Sequence, residues 1–182
     1  MLLLIGLGNP EQKYAKNRHN IGFMAIDAIA EAYSFSNFKS KHHGLVAEGQ
    51  INGEKTLLLK PTTYMNKSGI SVADAVNFYK LTSQQIVVFY DELDLPSGKL
   101  RMRTGGGLAG HNGLRSINAH MGADFRRARL GIGHPGDKAK VSGHVLGDFS
   151  KQDQQWLEPL LTALTRHLDY LVKGEDATYQ TR

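Results

Sequence analysis

The sequence contains no cysteine among its 182 residues. This absence excludes disulfide bonds and thiolate catalysis, and it removes the usual ligand of structural zinc sites. Long hydrophobic runs are also missing, because the apolar stretch of residues 1–5 is far shorter than the about 20 residues that span a bilayer. Polar residues follow this stretch too soon for a secretory signal. We therefore expect no membrane association and a cytoplasmic location.

The composition that remains is typical of a globular protein, with 41% hydrophobic and 21% charged residues. The length suits one domain, residues 1–182. The net charge of +5 is compatible with a polyanionic partner, although charge alone does not separate nucleic-acid binders from other basic proteins. Many arginines and lysines of the second half lie near a glycine-rich run at residues 105–110, which predicts a local basic surface.

Alternating strand and helix patterns predict an α/β fold. Strands are predicted at residues 2–7, 44–51, 54–60, 86–90, 99–103 and 127–132, and helices after residue 20, from 66 or 68 to 80, at 112–121 and at 150–174. Asn52-Gly53 predicts a type I′ hairpin. In the second helix, the residues expected to face the core are Ile70, Ala73, Val76 and either Phe78 or Tyr79. Together, these strands and helices predict a three-layer fold with a twisted, mostly parallel mixed sheet flanked by helices. The tail after Gly174 is expected to be loose.

Three polar clusters interrupt these apolar elements. They are Gly8-Asn9-Pro10 with Arg18-His19-Asn20, then Met65-Asn66, and then Asp91 with His111-Asn112. Because strand ends in such folds converge on one rim, the clusters are expected to meet in one cleft. An imidazole can take a proton from water, a carboxylate can fix its tautomer, and side-chain amides can donate to an oxyanion. With no serine or cysteine nucleophile motif, water is the expected attacking group.

Each of these residues also has a structural interpretation. His19 is compatible with a helix start, Asp91 with a turn cap, and Asn66 and Asn112 with helix N-caps. Residues 105–110 fit either a flexible connector or a weak phosphate cradle, since they lack the ending of a P-loop. Arg101 and Arg103 share one strand face, which suits either phosphate or solvent at an edge strand. The remaining histidines lack ligand spacing, so we expect no metal.

The motifs as a set resemble those of the bacterial-type peptidyl-tRNA hydrolase family, in the same order and over nearly the whole chain. The segments that carry the resemblance are Gly6-Leu7-Gly8-Asn9-Pro10, Tyr14, Arg18-His19-Asn20-Ile21-Gly22, Lys60-Pro61-Thr62-Thr63-Tyr64-Met65-Asn66, Asp91-Glu92-Leu93-Asp94-Leu95-Pro96, Gly105-Gly106-Gly107, Gly110-His111-Asn112-Gly113-Leu114 and Arg129-Leu130-Gly131-Ile132-Gly133-His134-Pro135-Gly136.

The resemblance implies a monomeric enzyme without metal or cofactor that hydrolyses the ester between peptide and tRNA and so releases tRNA. It implies roles for ten residues: His19 as catalytic base, Asp91 as its orienting carboxylate, Asn9, Asn66 and Asn112 as substrate-positioning amides, Tyr14 and Met65 as cleft lining, and Arg101, Arg103 and Arg129 as contacts to the phosphates and acceptor stem of tRNA. Glu11 and Ala109 stand where the family usually has glycine, so we expect altered loop geometry there.

Two other functions compete with this hypothesis. One is a non-enzymatic RNA-binding protein of the same fold, which would need neither a base nor an orienting carboxylate. The other is an enzyme that binds nucleotides through residues 105–110, which predicts affinity for free mononucleotides.

Overall fold

A seven-stranded mixed sheet forms the centre of the computed structural model, which describes residues 1–108 and 110–181. The strands are β1 (Leu2–Gly6), β2 (Lys39–Lys41), β3 (Gly44–Ile51), β4 (Glu54–Pro61), β5 (Ile86–Glu92), β6 (Leu100–Thr104) and β7 (Arg126–Gly131). Their order across the sheet is β2-β3-β4-β1-β5-β7-β6. Strands β4, β1, β5 and β7 run parallel, and the other three are antiparallel to their neighbours. The predicted mostly parallel mixed sheet is confirmed.

Helices cover both faces of this sheet. They are α1 (Ile21–Ala32), α2 (Ser68–Tyr79), α3 (Asn112–Met121), α4 (Val141–Val145), α5 (Gln154–Arg166), α6 (Leu168–Val172) and α7 (Asp176–Thr181). Helices α1, α5 and α6 enclose one hydrophobic core against the sheet, and α2 and α3 enclose a second on the opposite face. The predicted three-layer arrangement is therefore confirmed. No helix in the described part of the chain is long and apolar enough to cross a bilayer.

The Asn52-Gly53 turn has the predicted backbone conformation. Both residues have positive φ, at 51° and 79°, as a type I′ turn requires. The turn sets the register in which Ile51 pairs with Glu54 and Gly44 pairs with Pro61. On its other side β4 pairs in parallel with β1, so both strands end at the same rim of the sheet.

Close packing between β1 and α1 determines where the first polar clusters lie. A Cβ atom on Gly6 would be 2.2 Å from the carbonyl oxygen of Gly22, so the helix approaches the strand more closely than any other residue at position 6 would allow. The loop from β1 and the helical turn before α1 are consequently held together over the sheet edge. Asn9 and Asn20 join them through two hydrogen bonds, of 2.9 and 3.0 Å.

The predicted core face of α2 is only partly correct, because Val76 packs against the core but Ile70 does not. Ile70 is 38% exposed, whereas Gly69, Val72 and Ala75 are buried. The reason is close contact with α3: the Gly69 backbone N–H donates to Ser116 Oγ at 2.8 Å, and a Cβ on Gly69 would be 2.2 Å from the Ser116 carbonyl oxygen. Small residues therefore turn inward where the hydrophobic pattern alone favours Ile70.

The C-terminal region also differs from its prediction. A single helix over residues 150–174 was expected, but α5 ends at Arg166 and α6 begins only after a break at His167. The tail beyond Gly174 forms α7, in which Tyr179 is buried and donates through its hydroxyl to the Leu164 carbonyl at 2.6 Å. This helix covers the edge of the sheet, because Gln180 accepts a hydrogen bond from the backbone of Met102 in β6.

Candidate active site

The polar clusters meet at the carboxyl edge of the parallel strands. Asn9 follows β1, Met65 and Asn66 lie in a helical turn after β4, and Asp91 lies near the end of β5. His19 belongs to the turn that precedes α1. Strand β5 continues to Glu92, so Asp91 is part of the strand and does not follow it as predicted. Its position in a buried strand gives the carboxylate a rigid backbone support.

Asp91 is the centre of this arrangement. Its side chain is buried, and it accepts a hydrogen bond from an imidazole at each oxygen. Oδ2 lies 2.7 Å from His19 Nδ1, and Oδ1 lies 2.8 Å from His111 Nε2. Burial disfavours the carboxylate, but the two imidazoles outweigh it and lower the pKa of Asp91 from 3.8 to about 2. Asp91 is therefore ionised at neutral pH, when it can accept both bonds.

The contact with Asp91 determines which nitrogen of His19 is available to other groups. Because the carboxylate accepts from Nδ1, the neutral ring carries its proton there and leaves a lone pair on Nε2. Burial opposes charging of this imidazole, but the charge and hydrogen bond of Asp91 prevail and raise the pKa of His19 above 6.5. The neighbouring carboxylate thus fixes both the orientation and the tautomer of His19.

His111 is the residue whose part in the site was not foreseen from the sequence. Its Nδ1 accepts from the backbone N–H groups of Gly113 and Leu114, at 3.1 and 3.4 Å, and so caps α3. A ring that accepts at Nδ1 must hold its proton on Nε2, and that proton is donated to Asp91. The signal in the sequence was the position of His111 beside Asn112, but nothing there showed that its ring reaches Asp91.

The same three side chains have the composition of a metal site. Their ligand atoms at His19, Asp91 and His111 lie within 4.8 Å of one another. These atoms are already hydrogen-bonded to each other, however. A cation on His111 Nε2 would move the proton of that ring to Nδ1, where it would face the N–H groups of Gly113 and Leu114. The hydrogen-bonding pattern therefore favours two imidazoles on a carboxylate over metal ligation.

Two adjoining cavities of about 490 and 530 Å³ form a cleft beside this cluster. The first is lined by Asp91, Glu92 and His111, and the second by Asn9, Met65 and Asn66. Four residues line both cavities: His19, Asn112, Ser142 and Val145. His19 therefore lies where the two halves of the cleft join, with predicted amides on the side of the second cavity.

The three predicted amides reach the cleft in different ways. Asn9 Oδ1 accepts from the backbone N–H of Met65 at 3.1 Å, which leaves its NH₂ group free to donate. Asn66 and Asn112 are exposed at the cleft, and their side chains form no hydrogen bond to any residue that the structure describes. Neither is a side-chain N-cap, since His111 caps α3 and Asn66 lies within a helical turn. Their donors and acceptors are available to a ligand.

Other predicted residues are not all brought to the cleft. Met65 lines it, but Tyr14 is not among the residues that line either cavity. The backbone of Glu11 has φ −66° and ψ 138°, a conformation open to any residue, so glycine is not required there. Ala109, the other departure from the family pattern, lies outside the described residues.

The predicted phosphate-binding arginines share one face of the β6–β7 pair. Arg101 pairs with Arg129 and Arg103 pairs with Arg127. Arg129 Nη1 lies 3.9 Å from the Glu92 carboxylate, which lines the cleft, and Arg103 is exposed. Arg101 instead lines a separate cavity between β6, α5 and α7. Arg129 therefore lies near a residue of the cleft, Arg103 is open to solvent on the same face, and Arg101 lines a different cavity.

Comparison with known proteins adds an independent finding. The family model described as Peptidyl-tRNA hydrolase matches residues 3–182. The chain is 58% identical to the peptidyl-tRNA hydrolase of Parvibaculum lavamentivorans, over 100% of this chain and 89% of that protein. It is 58% identical to the enzyme of Rhizobium rhizogenes, over 97% and 74%. The crystal structure of peptidyl-tRNA hydrolase from Acinetobacter baumannii superimposes with a TM-score of 0.94 at 41% identity, over 100% of this chain and 93% of that one. These matches include every segment that forms the cleft.

Proposed function

Because the chain belongs to the peptidyl-tRNA hydrolase family and is an enzyme that releases tRNA from peptidyl-tRNA, we propose that His19 is its general base. One observation carries this proposal: Asp91 holds His19 by Nδ1 at 2.7 Å, so that the unprotonated Nε2 remains for a water molecule in the cleft. Imidazole suits this role, because its ordinary pKa is the closest of the side chains to neutral pH, where a general base is most effective.

In the proposed reaction, His19 Nε2 takes a proton from water as the water oxygen attacks the ester carbonyl. Asp91 stabilises the imidazolium that forms. The NH₂ groups of Asn9, Asn66 or Asn112 donate to the carbonyl oxygen as it becomes negatively charged. When the tetrahedral intermediate collapses, the ester C–O bond breaks and the terminal ribose oxygen of the tRNA takes the proton from His19. The products are a peptide with a free carboxylate and a tRNA with a free hydroxyl.

The rest of the substrate is proposed to extend from the cleft over the basic face of β6 and β7. There Arg103 and Arg129 would contact phosphates at the 3′ end and acceptor stem, because guanidinium groups pair well with phosphate oxygens. Arg101 is a weaker candidate, since it lines a different cavity. We further propose that residues 1–182 act as one domain and as a monomer in the cytoplasm, without a metal or cofactor.

The variant His19→Ala tests the mechanism. General-base catalysis contributes about 10²–10⁴-fold, so we expect kcat to fall by that order while affinity for peptidyl-tRNA is kept. Ester release from a labelled N-blocked aminoacyl-tRNA gives kcat, and a binding assay under the same conditions gives Kd. The matched control is His43→Asn, an exposed histidine with φ 55° that asparagine tolerates. Near wild-type hydrolysis by folded His19→Ala would refute the role of His19.

A further inference from the structure

Arg127 is a buried cation without a carboxylate partner among residues 1–108 and 110–181. It is 1% exposed in the middle of the sheet, and its guanidinium carbon lies 4.7 Å from the centre of the Phe125 ring. The guanidinium donates to three backbone carbonyls, and it also interacts with the Tyr90 hydroxyl. Nη1 donates to Gly107, and Nη2 donates to Gly106 at 3.2 Å and to Ala123 at 3.1 Å. The guanidinium thus joins β7 to the glycine-rich loop.

Burying a guanidinium group in a protein core carries a free-energy cost. Desolvation of a charge costs several kcal/mol, and apolar residues of similar volume often give equal or greater stability. The carbonyls of Gly106, Gly107 and Ala123 offset that cost by accepting hydrogen bonds from the charge. Core packing alone therefore does not account for arginine at this position. The interaction that only arginine supplies is simultaneous bonding to two carbonyls of the glycine-rich loop and to one carbonyl of the segment before β7.

The loop that Arg127 holds lies against Arg103. The two arginines are directly paired across β6 and β7 and project from the same face. Gly106 has φ 96°, and a Cβ atom there would be 2.4 Å from Arg103 Nε. The Arg103 guanidinium thus rests on the backbone of Gly106, which in turn is fixed by Arg127. A change at Arg127 can therefore reach Arg103 through this glycine as well as through the direct pairing of the two residues.

We propose that Arg127 is a positioning residue for tRNA binding, which holds residues 105–107 so that the exposed Arg103 guanidinium is kept on the substrate-binding face. This inference rests on the proposed contact between Arg103 and a tRNA phosphate. A flexible arginine side chain loses rotamer entropy when it is immobilised. A support that restricts Arg103 before the substrate arrives reduces this cost and strengthens binding without any contact between Arg127 and the RNA.

The variant Arg127→Met tests the inference, with Arg126→Met as its matched control. Arg126 is also a buried arginine of β7, but it binds Asp176 and the carbonyls of Leu171 and Gln84 on the opposite face. Both variants are expected to lower Tm. Only Arg127→Met is expected to raise KM for peptidyl-tRNA, by about fivefold, which corresponds to about 1 kcal/mol. Its kcat, and its KM for a short N-blocked aminoacyl ester of a mononucleotide, should change less than twofold.

Two further variants keep the test decisive if Arg127→Met does not fold. Gly106→Ala leaves Arg127 in place but puts a Cβ atom where the Arg103 guanidinium rests, so it should also raise KM for peptidyl-tRNA. Adding Arg127→Met or Gly106→Ala to Arg103→Gln should raise KM no further, since both act through Arg103. If Arg103→Gln alone leaves KM unchanged, the proposed phosphate contact fails. If Arg103→Gln raises KM but Gly106→Ala and Arg127→Met do not, or if the effects add, the positioning role of Arg127 is overturned.

Discussion

The substitution Asp91→Asn keeps the size of the side chain but leaves one acceptor atom in place of two. In the structure both oxygens of Asp91 accept, one from His19 and one from His111. His111 cannot change its donor, because the backbone N–H groups of Gly113 and Leu114 require a lone pair on its Nδ1. The oxygen of the new amide must therefore face His111, and its NH₂ group must face His19.

The consequence is a change of tautomer at His19. An NH₂ group that donates to Nδ1 moves the ring proton to Nε2, the nitrogen that faces the cleft, and a protonated Nε2 cannot accept a proton from water. The imidazolium also loses the charge of Asp91 beside it. Since general-base catalysis contributes about 10²–10⁴-fold, we expect kcat to fall by about 10³, or about 4 kcal/mol in activation free energy. This loss is close to the one expected for His19→Ala.

Hydrolysis of labelled peptidyl-tRNA at saturating substrate measures this loss, and thermal unfolding shows whether the fold is kept. The double variant Asp91→Asn/His111→Asn tests the tautomer argument itself. Asparagine can still cap α3, but it lacks the imidazole that dictates the orientation of the amide at position 91. The amide can then turn its oxygen toward His19, so the double variant should be more active than Asp91→Asn. The reasoning fails if Asp91→Asn keeps more than about a tenth of wild-type kcat, because loss of a functional base should cost about 10²-fold or more. It also fails if the second substitution restores no activity.

Two other predictions concern pH and the amides. The pKa of His19 is raised above 6.5, and a base must be neutral to act, so kcat/KM should decline as pH falls through an inflection above 6.5; Asp91→Asn should lower that inflection, and a wild-type inflection below 6.5 would contradict the pKa shift. Asn66→Asp and Asn112→Asp should each reduce kcat by about 10²–10³ with little change in Tm, because neither residue is a side-chain cap and a carboxylate repels the developing oxyanion. The exposed Asn77→Asp on α2 adds the same charge elsewhere, and an equal effect of all three variants would mean that the two cleft amides have no special role.

Sequence patterns predicted most of the fold because its central strands are buried on both faces. Continuous apolar runs marked β1 and β5, and the Asn52-Gly53 turn marked the β3–β4 hairpin. Strand β2 has no such signal, since its residues Lys39–Lys41 are polar and exposed. It exists because β3 offers a free edge to which its backbone can bond. A strand that depends on a neighbour for pairing and buries no face cannot be found from hydrophobic periodicity.

The error at α2 has a different physical origin. Periodicity ranks residues by hydrophobicity, and that ranking places Ile70 inside. The helix instead approaches α3 so closely that only small residues fit between them, which buries Gly69 and leaves Ile70 outside. Distance between helix axes depends on both partners and on the sheet beneath them. One helix sequence does not contain that information.

At the site, the sequence could indicate the types of residue but not the role of His111. From the sequence, the structural and functional interpretations of each polar residue are alternatives, a cap or a catalytic group. His111 is both, since its Nδ1 caps α3 while its Nε2 donates to Asp91. The cap is what fixes the tautomer, because two backbone N–H groups demand a lone pair on Nδ1 and so place the proton on the side of Asp91. The residue that caps α3 thereby binds one oxygen of Asp91 and leaves the other oxygen to His19. The helix cap and the orientation of the proposed base therefore depend on the same set of hydrogen bonds.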